Sequence, residues 1–350
     1  MNLKLLVLGV ARRIGLLSVC RSLTRYRLRI ICYHGGCIGD ESHFNPKLFA
    51  TPELLDSRLR WLRAKGFTPL SLSEAVEKLR SRAPLPPLPV VVTLDDGWYS
   101  SVRDLVPVIG GHGFPSTLYL ATRAFESGSP VLDVVINYTL WRVGPRLVNI
   151  VGLSPELDGT HDLSLVDVRV QLSSAVLGWI ESNADTAAKC QEMLEDFGRF
   201  VGVPASVLAL ESRRFSYMSL GEAQTLQKMG CSVELHGHRH WYPLGQPAKL
   251  RDDIEQCRRS ILAAELGEPR HYCYPSGEFD SHASTVLAAM GVRSATTCSP
   301  GLVPADAAGT MYQLPRFLDG ESVTELEFEA EMSGFTGVLR SMARRRFAAP

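Results

Sequence analysis

From Leu28 onward the chain alternates short β-branched or apolar runs with amphipathic helical stretches. That rhythm confines it to repeated β and α units around a parallel sheet. Arg29 to Tyr33, Val90 to Leu94, Thr117 to Ala121, Ser232 to Leu235, His271 to Tyr274 and Ser294 to Thr297 read as strands. Pro52 to Lys65, Ser101 to Ile109, Leu220 to Met229, Leu250 to Leu266 and His282 to Met290 read as helices. A length of 350 residues admits one large barrel or two smaller domains. The pattern points to an α/β fold, an irregular (β/α) barrel of about seven strands. From about residue 126 to 214 the rhythm breaks, and this stretch reads as a helical insertion between two strands. The expected organisation is a basic amphipathic segment over 1–27, the barrel over 28–325, and a C-terminal tail over 326–350.

Several strands end in polar clusters: Tyr33-His34-Gly35, Asp95-Asp96-Gly97, His236 to His240, and Pro275-Ser276-Gly277. In a parallel barrel all these ends open on one face, so four distant clusters can meet in one pocket. Lys plus Arg and Asp plus Glu each total 37, so no bulk charge exists to hold nucleic acid. The eight cysteines contain no C-x-x-C pair, which favours reduced thiols and a cytoplasmic setting. The apolar run Leu3 to Val10, followed by Arg12 and Arg13, is far short of the ~20 residues that span a bilayer. It lacks a clear small-residue cleavage site and reads as an amphipathic basic helix lying on the protein core or on a membrane surface.

The strongest chemical signal is Val91-Val92-Thr93-Leu94-Asp95-Asp96-Gly97. Two adjacent carboxylates after an apolar strand need a cation or an exposed position, although Asp-Asp-Gly also builds turns and helix caps. The second signal is Glu234-Leu235-His236-Gly237-His238-Arg239-His240. Imidazoles at i and i+4 can project to one side of a helical turn and are the commonest zinc ligands; a His-rich polar loop is the alternative. One carboxylate and two imidazoles make the three protein ligands of an open catalytic metal site. A divalent ion there lowers the pKa of a bound water from about 16 towards 7. The second carboxylate is then free to act as a base.

These motifs, in this order, resemble the polysaccharide deacetylases, also called carbohydrate esterase family 4 or the NodB homology group. Thr93 to Gly97 is similar to the family's T-F-D-D-G with Leu94 in place of Phe. His236 and His240 match its H-x-x-x-H, and Tyr274-Pro275-Ser276-Gly277 resembles the Y-P-x-G of one branch. The likeness runs from about Leu28 to about Phe317, with a gap over the insertion. It implies a metal-dependent hydrolase that removes N-acetyl groups from an amino-sugar polysaccharide or glycan. Asp95 would be the catalytic base, and Asp96, His236 and His240 the ligands of one divalent ion, expected to be zinc. A second register places His238 first and Tyr242 second among the imidazole positions.

The chain also departs from the pattern. No His follows His282, whereas many members use a late His as general acid. Branches that look permuted carry it near the N-terminus, and Cys32-Tyr33-His34 resembles their Y-H motif, so His34 is the candidate acid. Cys273 stands where many relatives have an Arg that positions the catalytic Asp; Arg316 can substitute by pairing with Asp95. Tyr274 is expected to donate its backbone N–H to the oxyanion beside Pro275, and Trp98 and Trp241 to present faces to a sugar ring. Two rival readings remain open: a catalytically silent glycan binder, and a hydrolase of another non-peptide C–N bond on the same fold. Membrane contact through the N-terminal segment also remains open.

Overall fold

The computed structural model describes residues 3–304 and 306–347. Seven parallel strands curl into an open barrel: β1 (Arg29–Tyr33), β2 (Pro89–Asp96), β3 (Ser116–Leu120), β4 (Cys231–Leu235), β5 (His271–Cys273), β6 (Ser294–Thr296) and β7 (Phe317–Leu318). Their order in the sheet is β6-β5-β4-β3-β2-β1-β7, with Thr68–Pro69 as a short extra strand beside β2. The irregular seven-stranded (β/α) barrel read from the sequence is the observed architecture. Leu314 bridges Thr296 of β6, and three residues later Phe317 pairs with Ile31 of β1. The segment from Leu314 to Leu318 therefore joins the two edges of the sheet.

Side chains alternate along each strand, and the two faces of β2 bury into different places. Val90, Val92 and Leu94 pack outward against Leu55, Leu59 and Leu62 of the helix Pro52–Ala64 and against Leu105 and Ile109. Val91 points inward with Ile30, Tyr119, Cys273 and Leu314. The helix Leu72–Ser81 brings Leu72, Ala75, Val76 and Leu79 into this inner cluster. Apolar packing thus fills the barrel interior and leaves polar chemistry to its mouth.

The insertion is not wholly helical. Beside the helices Leu132–Val143, Val166–Asn183 and Ala187–Phe200 it contains an antiparallel hairpin, Leu147–Ile150 with Gly159–Asp162. Leu147 to Ile150 alternates exposed and buried positions, the period of a half-buried strand rather than a helix. The insertion has its own core and is tied to the barrel by Arg214, whose Nε donates to the fully buried Glu41 at 2.6 Å.

The chain ends are not independent segments either. Helices Leu3–Arg13 and Leu16–Leu23 pack on Glu325–Ser333 through Leu8, Ala11, Leu17, Cys20, Ala330 and Phe335. Buried Arg29 of β1 fastens both ends, donating to the Met332 carbonyl at 3.0 Å and to Thr24 Oγ1 at 2.7 Å. Helix Phe335–Phe347 follows, so the expected tail is helical as far as it is described, and 348–350 lie outside the described residues.

At the start of β5, His271 is buried between Ser73 Oγ (3.1 Å) and Ser294 Oγ (2.9 Å). Burial, with Arg293 and Arg270 nearby, pushes its pKa down to about 3, against an ordinary value of about 6.5. The folded state resists the proton that the unfolded chain accepts, so this contribution to stability is complete above about pH 6.5 and is lost as pH falls towards 3. A His271→Gln variant is expected to show a shallower loss of denaturant midpoint across that window than the parent chain. Parallel curves would remove His271 from the acid response.

Candidate active site

The site begins where β2 ends. Successive strand residues face opposite sides, so adjacent carboxylates should diverge. Here Asp96 takes φ 74° and Gly97 φ 109°, turning the chain sharply at the barrel mouth. Positive φ at a non-glycine residue is uncommon and clusters at functional sites. At Gly97 that φ strains any other residue, and a Cβ would also come within 2.4 Å of Leu120 Cδ1. Both carboxylates are thereby buried in one pocket, at 2% and 4% exposure.

Asp95 meets a guanidinium from the closing segment. Arg316 Nη1 donates to Asp95 Oδ1 at 2.7 Å and Nη2 to Oδ2 at 2.7 Å, a two-pronged charged pair with no exposed arginine surface. Burial pushes the Asp95 carboxyl up, but the Arg316 guanidinium outweighs it and holds the group well below the usual carboxylate range. Cys273 occupies the position where a resemblance to the deacetylases leads one to look for Arg. Its Sγ accepts from Arg316 Nη2 at 2.9 Å. The cation that reaches Asp95 thus comes from the residue just before β7 and not from β5.

Asp96 faces the two imidazoles. Its Oδ1 lies 3.2 Å from His236 Nε2 and 3.1 Å from His240 Nε2, yet neither ring is aligned to give that oxygen a hydrogen bond, and the buried atom has no such partner. His236 Nδ1 bonds to the Cys273 carbonyl at 2.9 Å, which places its proton there and leaves an Nε2 lone pair turned to Asp96. Ligand atoms bonded tetrahedrally at about 2.0–2.1 Å stand roughly 3.3 Å apart. The orphaned oxygen, the tautomer and the spacing together fit a divalent cation held by Asp96, His236 and His240.

These imidazoles do not sit on a helical turn, as their spacing suggested. His236 to His240 is a loop after β4, bent by Gly237 at φ 81° and His240 at φ 54°. Asp253, buried on the helix Pro247–Ala263, shapes it by accepting from the backbone N–H of His238 (2.8 Å) and Arg239 (3.0 Å). A Cβ on Gly237 would lie 2.6 Å from Asp253 Oδ2. The loop folds back so that residues four apart meet across it. The alternative register is not assembled: His238 Nδ1 pairs with Thr122 Oγ1 at 3.0 Å and the Tyr242 hydroxyl donates to Asp280 at 3.0 Å.

His34, after β1, brings Nε2 to 3.8 Å from Asp95 Oδ2, and its buried Nδ1 has no hydrogen-bond partner among the described residues. Trp98 corrects its sequence reading. Its ring is 1% exposed, packs edge-on against Phe49 and Tyr217, and donates Nε1–H to Asp96 Oδ2 at 2.9 Å. No face is left for a sugar. Tyr274 is also corrected: its backbone N–H already donates to Thr296 O at 3.2 Å, and its buried ring donates from the hydroxyl to Tyr312 O at 2.9 Å. Strand pairing has consumed the donor expected at the oxyanion. Pro275 is buried, whereas Trp241 is 44% exposed beside the His236–His240 loop. A cleft of about 380 Å³ opens next to His240, between Asp133 and Leu177 of the insertion and Tyr217 and Arg239.

The part of the chain holding both imidazoles, strands β4 and β5 and the start of β6 carries a recognisable signature. Residues 201–295 match the polysaccharide deacetylase family. Solved deacetylase structures share the fold. Streptococcus pyogenes deacetylase PplD, in complex with acetate, is 14% identical with a TM-score of 0.56, over 88% of this chain and 99% of that one. IcaB from Ammonifex degensii is 17% identical with a TM-score of 0.53, over 88% and 97%. The BpsB deacetylase domain from Bordetella bronchiseptica is 16% identical with a TM-score of 0.50, over 83% and 95%. No curated protein sequence is significantly similar. At these identities the likeness is one of fold: the barrel resembles that of solved polysaccharide deacetylases.

Proposed function

We propose that this polysaccharide deacetylase fold is a metal-dependent hydrolase that removes N-acetyl groups from an amino-sugar polysaccharide or glycan, using one divalent ion, zinc. The observation that carries this reading is the orphaned Asp96 Oδ1 facing two imidazoles, one residue from a carboxylate locked by Arg316. When bound to Asp96, His236 and His240, the ion would supply Lewis acidity to the attacking water and to the amide oxygen. Asp95 accepts a proton from the attacking water, and Arg316 keeps that carboxylate ionised and oriented. His34 gives a proton to the departing amine nitrogen. The new bond joins the water oxygen to the acyl carbon, the C–N bond breaks, and the products are acetate and a free amine. Trp241 provides an exposed face for a sugar ring at the cleft beside His240. The acetate in the PplD complex is consistent with such a product site in a protein of like fold.

The test is acetate release from oligomers of N-acetylglucosamine by the purified full chain. Acetate should appear in step with new free amines, stop on chelation and resume on adding zinc. Affinity for the oligomer without acetate would favour a silent binder and overturn the reading. Ring opening of a cyclic amide, with N-acetyl sugars untouched, would overturn it in favour of another C–N hydrolase.

A further inference from the structure

The helix Leu3–Arg13 has apolar residues on two faces. Leu8 and Ala11 are buried against the C-terminal helices. Leu3, Leu6, Val7, Val10 and Ile14 stand 72, 45, 43, 51 and 71% exposed. Their spacing of three, four, seven and eleven residues from Leu3 draws them into one stripe along the outer side. Val19 and Leu23, four apart on the next helix, are 53% and 79% exposed, and Tyr26 follows at 49%. The last helix, which abuts the second, adds exposed Val338, Leu339 and Met342. Half of the large apolar side chains exposed among the described residues, eleven of twenty-two, belong to these terminal helices and the turn after them. Packing accounts for the inner face of the first helix and leaves the outer stripe unexplained.

Charge indicates what covers it. The first 39 residues contain seven basic side chains and no Asp or Glu. Lys4 and Arg12 pair with Glu327 and Glu329 of the helix beneath. Arg13, Arg21, Arg25 and Arg27 have no carboxylate partner among the described residues. An apolar stripe bordered by cations suits the interface of a bilayer, where apolar side chains sink below the headgroups and arginines meet anionic phosphates. A second copy of the chain suits it poorly, because a twofold contact would set the same cations against one another. No helix among the described residues is long and apolar enough to cross a membrane, and a short amphipathic helix of this kind lies in the surface plane. We propose that the N-terminal helices, flanked by the last helix, dock this protein onto the surface of an anionic lipid bilayer. The proposal stands apart from the catalytic reading and uses none of its residues.

The experiment is co-sedimentation of the full chain with vesicles of phosphatidylcholine alone or mixed with phosphatidylglycerol. The protein should pellet with the anionic vesicles and stay in solution with the neutral ones. Raising the salt should release it. The triple variant Leu6→Glu, Val10→Glu, Leu23→Glu should lower partitioning about tenfold or more, and Arg13→Glu with Arg25→Glu should do the same. An unchanged thermal midpoint establishes that these exposed substitutions leave the fold intact. Equal recovery in the supernatant with every vesicle would overturn the proposal, as would pelleting that the triple variant does not alter. So would a lipid-free dimer that the triple variant converts to monomer, since the stripe would then join copies of the chain.

Discussion

Asp95→Asn is expected to lower the rate of acetate release by roughly 10²–10⁴-fold, the usual worth of a positioned general base, while bound zinc per chain stays at its parent value. The separation follows from the geometry. Asp95 faces Arg316 and His34, whereas the next residue, Asp96, faces His236 and His240. An amide keeps one acceptor for the guanidinium but has no carboxylate to take a proton. The paired measurements are initial rates of acetate production and elemental analysis of the same preparation. A variant with zinc and near-parent turnover would remove Asp95 from proton transfer. A variant without zinc would place Asp95 among the ligands instead.

Arg316→Met is expected to cost about 3–5 kcal/mol of stability, the range found when one partner of a buried ion pair is removed. The guanidinium is fully buried and bridges both oxygens of a carboxylate that burial alone would push up. Without it, the Asp95 pKa rises, and the acid limb of the kcat/KM profile moves to higher pH. The stability sign follows the same logic. With Arg316 present the folded carboxyl lies below its unfolded value, so the pair's contribution is full above about pH 4 and is lost as pH falls further. The variant should therefore approach the parent in stability at low pH and diverge from it towards neutrality. Arg316→Lys keeps the charge without the fork and should recover much of the midpoint but less of the rate. A pH profile identical to the parent's in both variants would reduce Arg316 to a packing residue.

The strands were legible because each is an apolar run closed by turn residues. Arg29 to Tyr33 has the observed bounds, and Val90 to Leu94 falls one residue short at its start and two at its end. The excess in β2 is instructive. Asp95 and Asp96 read as a polar cluster after a strand, but both continue the ladder, opposite Tyr119 and Leu120. Phe317–Leu318 left no readable trace, because two residues establish no period and their pairing with β1 depends on the rest of the barrel. In the site, residue types and spacing indicated which groups could meet, and His236, His240 and Asp96 lie together. The means of their meeting was hidden: a left-handed turn, and Asp253 holding a loop from a helix. Nothing in Asp252-Asp253 distinguishes the buried carboxylate from its exposed neighbour. The reading of Trp98 and Tyr274 as substrate-facing fails for a related reason. Aromatic residues near a motif can face ligand or core, and only tertiary packing chooses.

The stretch from Leu314 to Leu318 gives the barrel a chronology. On a ribosome, Asp95, Asp96, His236 and His240 all emerge before Arg316 does, so a partly made chain already carries those four groups while the Asp95 carboxylate lacks its guanidinium. In the finished fold one short segment both compensates that charge and joins the edges of the sheet. Under the proposed mechanism, turnover would therefore await this last segment and report a finished barrel rather than a merely collapsed one.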